Sequence, residues 1–156
     1  MDEHSAFLGA VMAVINPEQF NAGVAMIDTI HNQPQKVEKR QHLAELLRIW
    51  TSPLFAVSLM NNRDSPLHRD TGGGYSCMDL LTTVGNYTDG RFQVPSLGYE
   101  FWYDSGTVMA LAGRIVRHGA TSVGDRLCVS YYVRENVLRE LSIPEPDWIR
   151  LQDLIA

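Results

Sequence analysis

The chain has 156 residues, of which 45% are hydrophobic and 20% charged, values that fit one soluble globular domain. No apolar run reaches the length of a membrane span, and two cysteines are too few for a disulfide framework or a structural zinc site. The formal net charge of -5 argues against a broad nucleic-acid-binding surface.

The first third of the chain has the pattern of helices. The apolar stretch Ala6–Ile15 predicts a buried helix with Ser5 as its N-cap, and Pro17 predicts the first turn of a second helix. Acids rather than basic residues precede the apolar stretch, which is therefore not typical of a signal peptide. Leucines at helical spacing predict a third helix over Val37–Trp50.

Short apolar runs separated by turns follow and predict strands. These runs are Leu54–Met60, Met78–Gly85, Arg91–Pro95, Gly98–Tyr103, Thr107–Leu111, Ile115–Ala120 and Arg126–Arg134. Asn86–Gly90 ends in an Asp-Gly pair and predicts a turn between two of them. Many short strands without intervening helices are typical of an antiparallel sandwich or jelly roll. Glu135–Leu141 and Asp147–Ile155 again have helical patterns.

The residues that carry chemistry are His68, Asp70 and His118. Two residues two positions apart in an extended segment project to the same face, and His118 can complete a set of two imidazoles and one carboxylate. This set is the facial triad of non-haem Fe(II) oxygenases, which leaves coordination positions open for a co-substrate and O2. The alternative is a hydrogen-bonded turn, since Pro66 and the run Gly72–Gly74 flank the first pair.

Arg126 is the second candidate, on the strand face that also carries Cys128 and Ser130. If that face lines the interior, the guanidinium is costly to bury unless it meets an anion. A dicarboxylate co-substrate supplies such an anion through a bidentate pair. The alternative is an internal salt bridge to one of three acids, Glu100, Asp104 or Asp125.

Six short segments between Leu54 and Val137 form a wider pattern. They are Pro66–Asp70, Asp79–Gly85, Gly106–Val108, Gly113–Arg114, His118–Gly119 and Gly124–Arg126. In these segments the chain resembles the TET/JBP branch of the 2-oxoglutarate/Fe(II)-dependent dioxygenases. The resemblance implies a double-stranded β-helix with iron at one mouth of the barrel. It also implies oxidation of the methyl group of a 5-methylpyrimidine, such as 5-methylcytosine, in nucleic acid.

The resemblance also implies roles for particular residues. His68, Asp70 and His118 correspond to the catalytic ligands of Fe(II), and Arg126 to the residue that binds the distal carboxylate of 2-oxoglutarate. Arg63 lies where related enzymes place a second contact with this co-substrate. O2 is the other reactant.

Two features of the chain depart from the family pattern. Cys128 stands where relatives often carry serine, and two cysteines cannot build the zinc module with which animal-type TET enzymes hold DNA.

A base must leave the duplex to reach the iron, so aromatic residues are candidates for stacking on it, with core packing as the alternative. These aromatic residues are Tyr75, Phe92, Tyr99 and Trp102. Asn62 and Asp79 can bond a base edge or cap turns.

We therefore predict a single α+β domain, in which residues 1–53 are a helical flank packed on the β core 54–137 and residues 138–156 are a helical tail. The expected function is Fe(II)/2-oxoglutarate-dependent oxidation of the methyl group of a modified base in DNA. The alternatives are a hydroxylase of a small molecule or protein side chain, and a non-catalytic cupin-like binding domain. Methylated DNA is the expected partner, with no membrane and no obligate protein partner, and the expected location is intracellular and nuclear.

Overall fold

A computed structural model of the chain describes residues 2–33, 45–46, 49–50 and 52–148. The chain divides into two compact units, one formed by Met1–Phe55 with Val133–Ala156 and the other by Ala56–Tyr132. The predicted helices over Val37–Trp50 and Asp147–Ile155 lie largely outside the described residues, so they stay predictions.

The helices with described bounds in the first unit are α1 (Asp2–Ile15), α2 (Pro17–Asn32) and α3 (Glu135–Glu140). Asn16 caps α2, because its side chain accepts a hydrogen bond of 3.0 Å from the Gln19 amide, and Pro17 occupies the first turn as predicted. The prediction that Ser5 caps α1 is wrong, since α1 begins at Asp2 and Ser5 is buried within it. None of the described helices is both long and apolar enough to cross a membrane.

The second unit is a six-stranded antiparallel sheet. Its strands are β1 (Ala56–Asn61), β2 (Ser65–His68), β3 (Asp79–Val94), β4 (Tyr99–Trp102), β5 (Val108–Leu111) and β6 (His118–Tyr132). The long strands β3 and β6 pair with each other at the centre. β1 and β2 pair with the outer side of β6, and β4 and β5 pair with the outer side of β3.

The length of β3 and β6 differs from the prediction. The predicted turn at Asn86–Gly90 is wrong, because β3 continues through it and takes up the extra residues as a register shift between Thr88 and Arg91. The two predicted strands around residues 115–134 are one strand, β6, in which Gly124 has a φ of +117° that favours glycine. Both places have residues typical of turns, but pairing between β3 and β6 keeps each of them within its strand.

One part of the interior of the sheet unit is apolar. A buried cluster of Leu81, Phe92, Val94, Tyr103, Leu111, Ala120 and Cys128 packs on its inner face. Phe92 and Val94 alternate with the half-buried Arg91 and Gln93, which is the period-two pattern of a strand with one buried face. The helices and this antiparallel jelly-roll core confirm the predicted α+β class.

Candidate metal centre

Strand pairing brings the two histidines of the candidate site together. His68 ends β2 and His118 begins β6, and the two residues are direct partners in the antiparallel ladder. Their ring centroids are 4.5 Å apart. Asp70 follows β2 in the next loop, where its backbone N–H donates a 3.0 Å hydrogen bond to the carbonyl of Gly113.

The side chains of these three residues converge. The Nε2 atom of His68 lies 3.4 Å from Oδ1 of Asp70, and the Nε2 atom of His118 lies 3.5 Å from Oδ2 of the same carboxylate. One potential ligand atom from each residue lies within 4.8 Å of the other two. The structure therefore assembles two imidazoles and one carboxylate at one place in the fold.

The backbone fixes which imidazole nitrogens face the carboxylate. Nδ1 of His68 donates to the carbonyl of Pro66 at 2.7 Å, and Nδ1 of His118 donates to the carbonyl of Val116 at 2.9 Å. A carbonyl can only accept, so each Nδ1 carries a proton and each Nε2 is left with a lone pair in the neutral ring. This arrangement orients an imidazole for metal binding through Nε2.

The centre is closed on one side and open on the other. His118 is buried and stacks on Phe92 with ring centroids 5.7 Å apart, whereas the side chains of His68 and Asp70 are each 42% exposed. Burial lowers the pKa of His118, although the Val116 carbonyl and the charge of Asp70 oppose this shift. The neutral imidazole that results is the form that binds a metal.

Asp79, the first residue of β3, supports the carboxylate of Asp70. Its side chain is buried, and its pKa is raised to about 7, mainly because burial disfavours the charged form. The negative charge of Asp70 and a hydrogen bond between the two carboxyl groups raise it further, and a hydrogen bond from the Gly113 backbone opposes them. The sequence suggested Asp79 only as a turn cap or base contact.

Arg126 is buried inside the sheet unit, where none of the described acidic residues pairs with it. Its Nε donates to Oγ of Ser122 at 3.0 Å, and its Nη2 donates to the carbonyl of Arg63 at 2.7 Å. Among the described residues no carboxylate lies within 4.0 Å of its guanidinium, and none of the three acids considered from the sequence pairs with it. Glu100 instead pairs with Arg91, and Asp125 accepts a hydrogen bond from Asn62. The buried positive charge therefore suits an anionic ligand.

Tyr103 and Cys128 complete the surroundings of this charge. The guanidinium carbon of Arg126 lies 5.7 Å from the ring centre of Tyr103, whose hydroxyl is 3.6 Å from Sγ of Cys128. Burial raises the pKa of both groups, so both stay protonated at neutral pH. Phe92 lies between Tyr103 and the histidines, because its ring centroid is 5.3 Å from that of Tyr103 and 5.7 Å from that of His118. No sequence pattern indicates Tyr103 as a site residue, because its position depends on strand pairing.

The other predicted site residues are placed differently. The side chain of Arg63 is exposed, and it is the backbone carbonyl of this residue that contacts Arg126. Asn62 has a left-handed backbone with φ 48° and accepts a 2.7 Å hydrogen bond from the Arg126 amide, so it shapes the link between β1 and β2. Of the four aromatic candidates, Phe92 belongs to the core, whereas Tyr75, Tyr99 and Trp102 are exposed.

The donor set and the buried arginine fit a particular class of enzyme. Two imidazole nitrogens and one carboxylate oxygen suit Fe(II), and a buried guanidinium suits the distal carboxylate of 2-oxoglutarate. This is the chemistry of a 2-oxoglutarate- and Fe(II)-dependent dioxygenase, which uses Fe(II), 2-oxoglutarate and O2.

Comparison with protein families agrees with this class. Residues 1–135 match the Tet_JBP family, described as the oxygenase domain of the 2OGFeDO superfamily. The match spans most of the chain, and the chain therefore belongs to this family. A comparison with curated proteins gives no match.

Proposed function

We propose that this dioxygenase oxidises the methyl group of a modified base in DNA, such as 5-methylcytosine. The observation that carries the proposal is the convergence of His68, Asp70 and His118 in the same sheet unit as a buried Arg126 that has no acidic partner among the described residues. The resemblance of the motif segments to the TET/JBP branch supports the choice of substrate.

In this proposal each site residue has a defined task. His68, Asp70 and His118 hold Fe(II), and the Nδ1 hydrogen bonds to Pro66 and Val116 keep the imidazoles turned toward it. Arg126 binds the distal carboxylate of 2-oxoglutarate. With Fe(II) and 2-oxoglutarate bound, the site would supply the coupling of oxidative decarboxylation of 2-oxoglutarate by O2 to hydroxylation of a C–H bond, giving succinate and CO2.

The exposed side of the centre is where the base would enter. A methyl group within a duplex cannot reach a centre whose innermost ligand, His118, is buried, so the nucleotide must leave the base stack. The partial exposure of His68 and Asp70 leaves an approach for such a nucleotide. A single-stranded or mismatched substrate would avoid part of the cost of unstacking.

The test is turnover with defined oligonucleotides. Protein, Fe(II), 2-oxoglutarate and O2 are mixed with 5-methylcytosine oligonucleotides or with unmethylated oligonucleotides of the same sequence. Succinate is measured, and the bases are analysed by mass spectrometry. We expect succinate and a methylated base that has gained one oxygen atom, with neither in the unmethylated sample beyond background.

Ligand variants provide the control. His68→Ala and Asp70→Ala should abolish turnover and weaken iron binding, whereas His31→Ala, at an exposed histidine of α2, should change neither. If succinate forms when a small molecule or a peptide is added but not when DNA is added, that compound and not DNA is the substrate. Iron and 2-oxoglutarate binding without any turnover would identify a non-catalytic binding domain.

A further inference from the structure

Two chain segments, 69–75 and 113–117, form a rim beside the metal centre. The hydrogen bonds between them include those from the Asp70 amide to the Gly113 carbonyl at 3.0 Å, from Arg69 Nε to the Ile115 carbonyl at 2.8 Å, and from Arg114 Nη1 to the Gly73 carbonyl at 2.6 Å. Because Asp70 belongs to both the rim and the metal centre, whatever binds the rim lies next to the centre.

Tyr75 is an aromatic platform on this rim. The guanidinium carbon of Arg114 lies 4.0 Å from the centre of its ring, which is a cation–π contact. The hydrogen bond from Arg114 to the Gly73 carbonyl ties the guanidinium to the loop that carries Tyr75. Because 62% of Tyr75 is nevertheless exposed, the residue leaves surface accessible to a second planar group.

The rim also carries positive charge next to the metal ligands. Arg69 lies between His68 and Asp70 in sequence, and Arg117 directly precedes His118. Both arginines are exposed, and within the described part of the chain neither has a carboxylate within 4.0 Å. The local charge is therefore positive although the net charge of the chain is -5.

A second arginine stacked on an aromatic ring lies in the sheet, but its positive charge is paired with acids. Arg91 lies over the ring of Trp102, with its guanidinium carbon 3.3 Å from the ring centre. It also pairs with Asp89 at 3.5 Å and with Glu100 at 3.4 Å, so its charge is neutralised locally. This pair offers an aromatic surface of similar exposure without free positive charge, and it serves as an internal comparison for the rim.

We propose that Tyr75 stacks on the base of the nucleotide that enters the metal centre, while Arg69 and Arg117 contact the phosphates on either side of it. This inference rests on the proposed function and specifies its substrate as an unpaired nucleotide within a strand. An aromatic face binds any base by stacking, and arginines neutralise the backbone charge regardless of sequence. The selection of the methyl group is then left to the metal centre.

Binding of a fluorescein-labelled single-stranded oligonucleotide with one 5-methylcytosine tests the inference. Fluorescence anisotropy is measured without O2, with Fe(II) and 2-oxoglutarate present, so that binding is observed without turnover. We expect Tyr75→Ala to weaken binding about tenfold and Tyr75→Phe to bind like the original chain, because phenylalanine keeps the stacking face.

The arginines are tested through the salt dependence of the same binding. Arg69→Gln and Arg117→Gln should each weaken binding and reduce the slope of log K against log salt by about 0.7, the value for one contact with a single strand. Trp102→Ala and Arg139→Gln should change neither quantity. Trp102 is 66% exposed and lies on the face of β4 opposite that of Phe101. Arg139 pairs with Glu135 and belongs to the helical unit.

Tyr99 supplies the competing outcome. Tyr99 and Phe101 stack with ring centroids 5.8 Å apart on the face of β4 that continues the Phe92 side of the sheet. If Tyr99→Ala weakens binding and Tyr75→Ala does not, the platform lies on β4 and the inference is wrong. If the Tyr75→Ala variant binds the oligonucleotide as tightly as the original chain and still oxidises it, the inference is wrong and the proposed function stands. Absence of oligonucleotide binding and oxidation by the original chain would reject both.

Discussion

The carboxyl group of Asp79 lies buried against the carboxyl group of Asp70, the acidic residue of the candidate metal centre. Two carboxylates in contact repel each other when both are charged, so the buried Asp79 is the group that takes up a proton and can donate it in a hydrogen bond. Its position at the start of β3 fixes this contact, because β3 is paired with β5 and with β6 at that end. Asp79 thereby limits the orientations available to Asp70.

Removal of this contact should weaken iron binding. Asp79→Ala leaves the Asp70 carboxylate without its buried partner, and we expect a loss of about 10–100-fold in Fe(II) affinity, the usual effect of removing a group that orients a metal ligand. Asp79→Asn keeps a hydrogen-bond donor of the same size and should lose much less. Anaerobic titration with Fe(II) measures both, and equal affinity in the alanine variant and the original chain would contradict the role of Asp79.

Gly113 gives a steric test of the same contact. A Cβ atom at this position would overlap Oδ2 of Asp79 and Oδ2 of Asp70, so Gly113→Ala should displace the carboxylates and abolish tight iron binding. Gly73→Ala is the matched control, because the nearest atom to its Cβ would be Oδ1 of Asp79 at an ordinary 3.8 Å. Circular dichroism should show the same secondary structure in both variants. Unchanged iron binding in Gly113→Ala would mean that the two carboxyl groups can separate freely.

The sequence predicts much of the fold because its signals are local. Pro17 starts α2, the apolar run Leu54–Met60 overlaps most of β1, and Glu135 starts α3. The errors fall where long-range pairing decides the outcome. Asp89-Gly90 resembles a hairpin turn, yet it lies inside β3 because β6 provides partners on both sides of the irregularity.

The candidate site is predictable only in part, for the same reason. The residue types and spacing of His68, Asp70 and His118 point to a metal, and the structure brings their ligand atoms together. Their role as ligands stays a prediction. The neighbours of the site, Asp79 and Tyr103, reach it through strand register and burial, which leave no pattern in a single sequence.

The buried charge of Arg126 predicts a specific dependence on the co-substrate. Arg126→Ala should weaken 2-oxoglutarate binding about 30-fold or more, since removing one partner of a buried hydrogen-bonded charge pair costs about 2–5 kcal/mol. Arg126→Lys keeps the charge but not the two-pronged contact, and its affinity should lie between the two. Calorimetric titration of 2-oxoglutarate into the Fe(II)-loaded protein without O2 gives these affinities.

Iron binding is the control for this prediction. Fe(II) affinity should be the same in both Arg126 variants, because Arg126 contacts Ser122 and the Arg63 carbonyl rather than the histidines. A variant that loses iron and co-substrate together has lost its structure, which thermal unfolding would detect. Unchanged 2-oxoglutarate affinity in Arg126→Ala would assign the arginine to structure alone.

Tyr103 and Cys128 predict how stability changes at high pH. Burial raises the pKa of each above its ordinary value, 10.0 for tyrosine and 9.0 for cysteine, so the folded protein keeps protons that the unfolded chain releases. The unfolded state therefore binds fewer protons above about pH 9, and the free energy of unfolding falls as pH rises. Each contribution is fully present below the ordinary pKa of its group and declines above that pH by about 1.4 kcal/mol per pH unit.

Substitution of Tyr103 isolates its share of this decline. Urea unfolding at several pH values between 8 and about 11 should give a shallower fall for Tyr103→Phe, because phenylalanine has no proton to lose, and the difference should emerge near the ordinary tyrosine pKa. Cys128→Ala should flatten the earlier part of the fall, from about pH 9. Tyr131, whose pKa burial also raises, leaves a residual slope in both variants. Identical slopes in Tyr103→Phe and the original chain would show that this hydroxyl ionises as easily in the folded protein as in the unfolded chain, and its contact with Cys128 would then lie in a solvent-accessible pocket.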